Sequence, residues 1–187
     1  MMANNALSFD PATHQYRVDG ETILSVTQIL KACGIIDDTW YTKESAQRGQ
    51  AVHLATQLFD ESDLDWDSVS PEITGYLDAY RKFRQEVIFE VDMIEQPIYS
   101  ATYRFAGTPD RTGILNGKNV VIDIKSGQKA KWHRLQTAGY ALLLDRPVER
   151  YVLYLLKTGS YRLDQHRSSS DTSVFLAALS VASWSTK

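Results

Sequence analysis

The stretch NGKNVVIDIKSG, from Asn116 to Gly127, constrains this chain more than any other. Val120, Val121, Ile122 and Ile124 form a nearly unbroken β-branched run, which reads as a buried strand. Two charges, Asp123 and Lys125, stand in and at the end of that run. Side chains alternate across a strand, so both project from one face while Ile124 anchors the other in the core. Charge on a buried strand needs a partner. Asn116-Gly117-Lys118 is a hairpin signal between this strand and the run RTGIL, Arg111 to Leu115. The hairpin turns Asp110, which precedes that run, towards the Asp123 end. Two carboxylates and a lysine gathered there suit a hard divalent cation beside a phosphodiester, and the Ile124 carbonyl offers a further oxygen. Such a cation polarises a non-bridging phosphate oxygen and acidifies an attacking water. Lys125 would orient that water and offset charge in the transition state. Taken singly, an Asp-x-Lys pair reads as a surface salt pair and an Asp after Pro109 as a turn residue. Their combination on an apolar strand points to metal chemistry.

Periodicity and punctuation supply the rest of the map. Residues 7–24 read as a hairpin turning at Asp19-Gly20, followed by a short helix capped by Ser25 and stopped by Gly34. A helix is expected from about Lys43 to Asp60, then an acidic connector, then a long helix from Pro71 to Phe89. Strands are expected over Asp92–Thr102, Phe105–Leu115 and Asn119–Ile124, and a helix over Lys131–Leu144. A long strand from Glu149, an edge strand from Tyr161 to Gln165 and a helix starting at Asp171 complete the chain. Gln136 and Tyr140, at i and i+4, share one helix face. From spacing alone Tyr140 reads as a core aromatic, whereas a buried Gln136 needs several hydrogen-bond partners. Glu95 reads as a strand-edge charge in preference to an acid behind the metal site. Ser126 and Thr108 flank the acidic residues and serve either phosphate or local turns.

The motifs GTPD, DIKSG and QTAGY, preceded by RGQAVH from Arg48 to His53, together resemble the PD-(D/E)XK nuclease superfamily. They are most similar to its RecB-like exonuclease branch, with phage and mitochondrial genome maintenance relatives. The likeness spans nearly the whole chain, with four motifs in the expected order. It implies an α/β restriction-endonuclease-like core, a central mixed β-sheet flanked by helices, with an N-terminal hairpin and helical extension. It also implies one nuclease domain over residues 1–187, with N-terminal elements at 7–90 and a catalytic core at 91–187. Asp110, Asp123 and Lys125 become catalytic; His53, Asp110, Asp123 and the Ile124 carbonyl become ligands of Mg²⁺ or Mn²⁺. A helical histidine alone would carry little weight, but the RGxxxH context makes His53 a nitrogen ligand, which suits Mn²⁺. Gln136 and Tyr140 would then arrange the substrate. The implied activity is a metal-dependent exonuclease acting on DNA ends, often single-stranded, in replication, recombination or repair. Partner proteins from those processes are expected with it. An endonuclease on the same core and a non-catalytic DNA-binding module are the alternatives.

Charge argues for a local substrate surface. The chain is mildly acidic, with formal net charge −3 and pI near 5.8, which excludes indiscriminate coating of duplexes. KSGQKAKWHR nevertheless carries Lys125, Lys129, Lys131 and Arg134 without an acid. Together with Arg48 and Ser126, these cations would meet backbone phosphates. Trp132 among them reads equally as a base-stacking surface or a helix-start packing residue. The run Arg81-Lys82-Phe83-Arg84 reads as a solvated helix face. A single cysteine, Cys33, excludes an intramolecular disulfide and the iron–sulfur cluster that some relatives carry. No apolar run reaches membrane-spanning length, and MMANNALSFD lacks the features of a signal peptide, so a cytoplasmic protein with no membrane contact is expected. GILNGK lacks the glycine spacing and the Ser or Thr of a phosphate-binding loop, which excludes an ATPase motor.

Overall fold

A computed structural model describes residues 7–37, 42–144 and 146–185. The chain opens with three short antiparallel strands, β1 (Leu7–Asp10), β2 (Gln15–Val18) and β3 (Glu21–Ile23). The expected hairpin therefore has an extra strand, folded back through His14 at φ 53°. Helix α1 (Val26–Ala32) follows, with Ser25 and Gln28 closing a reciprocal capping box. That arrangement satisfies two orphan amides and is worth about 1 kcal/mol. Helices α2 (Lys43–Asp60) and α3 (Thr74–Glu86) precede the main sheet. α3 starts three residues beyond Pro71 and stops before Phe89, which joins the next strand instead.

The main sheet contains β4 (Phe89–Ile94), β7 (Arg111–Leu115), β8 (Lys118–Lys125), β9 (Glu149–Leu155) and β10 (Tyr161–His166), in the order β10-β9-β8-β7-β4. β8 and β9 pair in parallel and the other neighbours are antiparallel, so the sheet is mixed. α4 (His133–Leu143) makes the crossover between β8 and β9, and α5 (Ser170–Ser185) closes the described chain. A separate pair, β5 (Ile98–Ser100) with β6 (Phe105–Gly107), leans on the N-terminal sheet through a bridge from Ser25 to Ala106.

Two expected strands are each broken in two. Pro97 follows the break after Ile94, and Pro109 lies in the break between β6 and β7. Proline has no amide to donate and restricts the residue before it, so neither ladder can run straight through.

Alternation along β8 sorts its apolar residues between two layers. Val120, Ile122 and Ile124 pack beneath α2 and α3 with Leu77, Tyr80 and Phe83. Val121 faces the other way, towards α1, α4 and α5. Gly139 allows α4 to lie against α5, because a Cβ there would come within 2.7 Å of the Phe175 ring. Among the described residues, no helix is long and apolar enough to cross a membrane.

Candidate active site

The carboxyl end of β8 carries Asp123 and Lys125 on one face. Lys125 Nζ lies 3.0 Å from Asp123 Oδ1 and 2.8 Å from Oδ2. Asp123 is fully buried and the lysine side chain keeps 18 % of its surface. Asp110 meets the same strand end, with its Oδ2 accepting the Ile124 amide at 2.5 Å. The register Ile94↔Arg111 sets Glu95, one residue beyond β4, opposite Asp110. The Glu95 amide donates to the Asp110 carbonyl at 3.1 Å, and Glu95 takes φ 47° to turn out of the strand. His53 arrives from α2, its Nδ1 3.3 Å from Glu95 Oε1 and 3.6 Å from Asp110 Oδ1. One ligand atom each from His53, Glu95 and Asp110 fall within 4.8 Å of one another. Glu95, expected on a strand edge, thus belongs to the cluster.

The electrostatics fit a cation. Burial pushes Asp123 up to about 6, aided by Asp110 and opposed by Lys125. Asp110 is also raised, by burial first, with His53 opposing and Glu95 adding to the shift. Burial disfavours a charged His53, but Asp110 and Glu95 outweigh it and lift the ring to about 9. Two carboxylates and an imidazole converging on one point, with the Asp123 carboxylate on the neighbouring strand, provide a donor set that fits Mg²⁺ or Mn²⁺. Glu95→Gln is expected to weaken Mn²⁺ binding by about 10–100-fold in a calorimetric titration. An isotherm unchanged from wild type would put Glu95 outside the site.

Arg111 supports this cluster from behind. Its side chain is wholly buried, with Nε on Asp60 Oδ2 at 2.7 Å, one terminal nitrogen on the Asp110 carbonyl at 2.6 Å and the other on Thr56 Oγ1 at 3.4 Å. The Nη1 atom also lies 3.7 Å from Glu95 Oε1. Asp60 is shared with Arg84 at 3.2 Å and accepts the Tyr80 hydroxyl. On the α4 side, Gln136 Nε2 donates to Tyr140 Oη at 3.0 Å, and both residues are buried. Gln136 Oε1 has no hydrogen-bond partner among the described residues. Burial, then Asp123 and Asp110, hold the Tyr140 hydroxyl well above its ordinary pKa, so it keeps its proton.

A cleft of about 530 Å³ opens over this centre, lined by Arg48, His53, Ile124, Lys125, Ser126, Lys129 and Trp132 among others. Trp132 packs on the α4–α5 core, as the packing reading expects, and its ring lies 5.6 Å from Lys125 Nζ at the cleft. Lys131 is exposed beside the cleft and is not among its lining residues. Arg134 points elsewhere, with its Nε 2.6 Å from buried Asp171, which also binds Arg150. Arg81 and Lys82 pair with Asp78 and Glu86 on an exposed helix face, whereas Arg84 turns inward to the buried Asp60, so the run is only partly the solvated face expected. His133 also lines the cleft; burial, followed by Lys125, drives it down to about 3, and its Nδ1 bonds Tyr154 Oη at 2.9 Å.

No protein-family model matches the chain, and no curated protein matches it in sequence. Among solved structures it is similar to an alkaline exonuclease, LHK-Exo, from Laribacter hongkongensis, at 14% identity over 88% of this chain and 91% of that one, with TM-score 0.44. A second similar structure, SSO0001, shares 12% identity over 76% of this chain and 72% of its own, with TM-score 0.37.

Proposed function

We propose, from the site and not from these fold likenesses, that the chain is a divalent-metal-dependent DNA exonuclease of the PD-(D/E)XK type. The observation that carries the proposal is the convergence of His53, Glu95 and Asp110 within 4.8 Å, beside the Asp123–Lys125 pair. His53, Glu95, Asp110 and Asp123 would hold Mg²⁺ or Mn²⁺, with the Ile124 carbonyl as a further oxygen. When bound, the ion polarises the scissile phosphate and acidifies nearby water. Lys125 orients the attacking water and offsets the charge that grows on the phosphate oxygens. Water adds at phosphorus, the bond to the leaving oxygen breaks, and the products are a phosphomonoester and a free hydroxyl. Gln136 and Tyr140, joined by their hydrogen bond, would arrange the substrate. Arg48, Ser126, Lys129 and Trp132 meet the strand where they line the cleft, with Lys131 next to it. We read residues 1–187 as one nuclease domain, because His53 comes from α2 in the N-terminal elements and both Glu95 and Asp110 from the core. The RecB-like motif order favours end-dependent cleavage in replication, recombination or repair.

The test is an end-labelled linear single strand beside a covalently closed circle of the same sequence, with Mn²⁺. Loss of the linear strand with the circle spared is the expected result. A cut circle would make the enzyme an endonuclease, and silence on both with binding intact would leave a non-catalytic module.

Metal binding should also appear in stability, with a defined pH dependence. Asp123 titrates at about 6 in the fold against 3.8 unfolded, so its contribution is complete below about pH 4 and is lost as pH rises through about 6. A cation reverses that loss, because it requires the carboxylates charged and His53 neutral. Saturation at about 100 times the Kd adds about 2.7 kcal/mol, or roughly 5–10 °C in Tm for a chain of this size. Scanning calorimetry should show that rise near pH 8 and little of it near pH 5, as proton competition predicts. An equal Mn²⁺ effect at both pH values would contradict the proposed ligand set.

A further inference from the structure

A second lobe of about 460 Å³ continues from the cleft, sharing with it Arg48 and the loop from Ser126 to Lys129. Every charged side chain lining this lobe is a cation: Arg48, Lys129, Lys157 and Arg162. That concentration stands out in a chain of net charge −3. The cations are held in position. The Arg48 guanidinium lies 6.0 Å from the Tyr76 ring, and its Nε is buried without a hydrogen-bond partner among the described residues. Asp164 takes both Lys129, at 2.8 Å, and Arg162, at 2.6 Å, so one carboxylate ties the loop to β10 and leaves that pair net positive. Gly75 brings α3 onto the end of β9 and so sets Lys157 beside Tyr76; a Cβ at Gly75 would lie 1.9 Å from the Lys157 carbonyl oxygen.

We propose that this lobe is a phosphate-binding subsite for a single strand of nucleic acid, holding the backbone next to the scissile bond. The inference rests on reading the first lobe as the cleavage site. Three observations select the occupant. The lining charge complements phosphate, the lobe is continuous with the cleft, and its size suits one strand. Cavities of roughly 300–1,000 Å³ take one small molecule, so each lobe has room for on the order of one nucleotide. Cleavage would then require a strand reaching through both lobes, and affinity would depend on salt.

The experiment measures binding and cleavage side by side. Fluorescence anisotropy follows a labelled oligothymidylate of roughly 20 nucleotides, long enough to exceed a single-strand site, in chelator and across a salt series. Lys157→Gln/Arg162→Gln is expected to weaken binding by about tenfold or more and to lower the slope of log affinity against log salt by about 1.4. Exposed Lys157→Gln alone should remove about half of that slope. Lys118→Gln, at the opposite end of β8, should change neither. Wild-type affinity and slope in the double variant, with wild-type cleavage normal, would overturn the subsite and spare the nuclease. Loss of affinity in the double variant, from a wild type that never cuts, would support the subsite and overturn the nuclease. Tighter wild-type binding to a duplex than to the strand would overturn the single-stranded occupant.

Discussion

Lys125→Met is expected to lower turnover by about 10²–10³-fold or more while Mn²⁺ binds as well as before, or better. The lysine stands 2.8–3.0 Å from the Asp123 carboxylate and next to the metal-ligand cluster, so it competes electrostatically with any cation there. Removing it leaves the carboxylates freer for metal. It also removes the ammonium proposed to orient water and to offset charge on the phosphate. Asp123→Asn should behave differently, losing affinity and turnover together, because it removes a proposed ligand. Single-turnover cleavage and calorimetric titration of both variants separate these roles. Near-normal cleavage by Lys125→Met, with a native melting curve, would remove the lysine from the chemistry.

Arg111→Met is expected to be the most destabilising single change, at about 3–5 kcal/mol. Arg111 and Asp60 are almost completely buried, with side-chain exposures of 0% and 2%. Methionine fills much of the volume but leaves the Asp60 carboxylate to Arg84 and Tyr80. It also leaves the Asp110 carbonyl with the Glu95 amide alone. Tm should fall by roughly 6–20 °C for a chain of this length. Asp60→Asn in the same background should recover part of the loss, and a double-mutant cycle gives the coupling. A fall within a degree or two of wild type would mean the network contributes little. The network also bears on the site, because Asp110 and Glu95 both contact Arg111.

Local patterns exposed much of this architecture, and distant pairings stayed hidden. The β-branched run through Val120–Ile124 foretells β8, and its alternation puts Asp123 and Lys125 on one face. Asn116-Gly117 turns as expected, with φ 50° and 77°. The four-residue spacing of Gln136 and Tyr140 yields a direct hydrogen bond. Glu95 escapes the same reading because a straight strand over Asp92–Thr102 leaves it on an edge. The usable signal was Pro97, which cannot sit in a continuous ladder and demands a break nearby. Nothing local reveals that Arg111 would pair with Asp60, 51 residues earlier. Nor does the basic run betray that Arg134 is held by Asp171 while Lys129 is held by Asp164. Periodicity reports which face is buried; it does not report which charge meets which across the fold.

The most direct test titrates Mn²⁺ into wild-type protein while following binding and hydrolysis of an end-labelled single strand in the same samples, with Asp110→Asn alongside. The site described here predicts that hydrolysis rises along the binding curve, vanishes in chelator and is lost with binding in Asp110→Asn. Hydrolysis that persists in chelator, or Mn²⁺ bound as tightly by Asp110→Asn as by wild type, would contradict it.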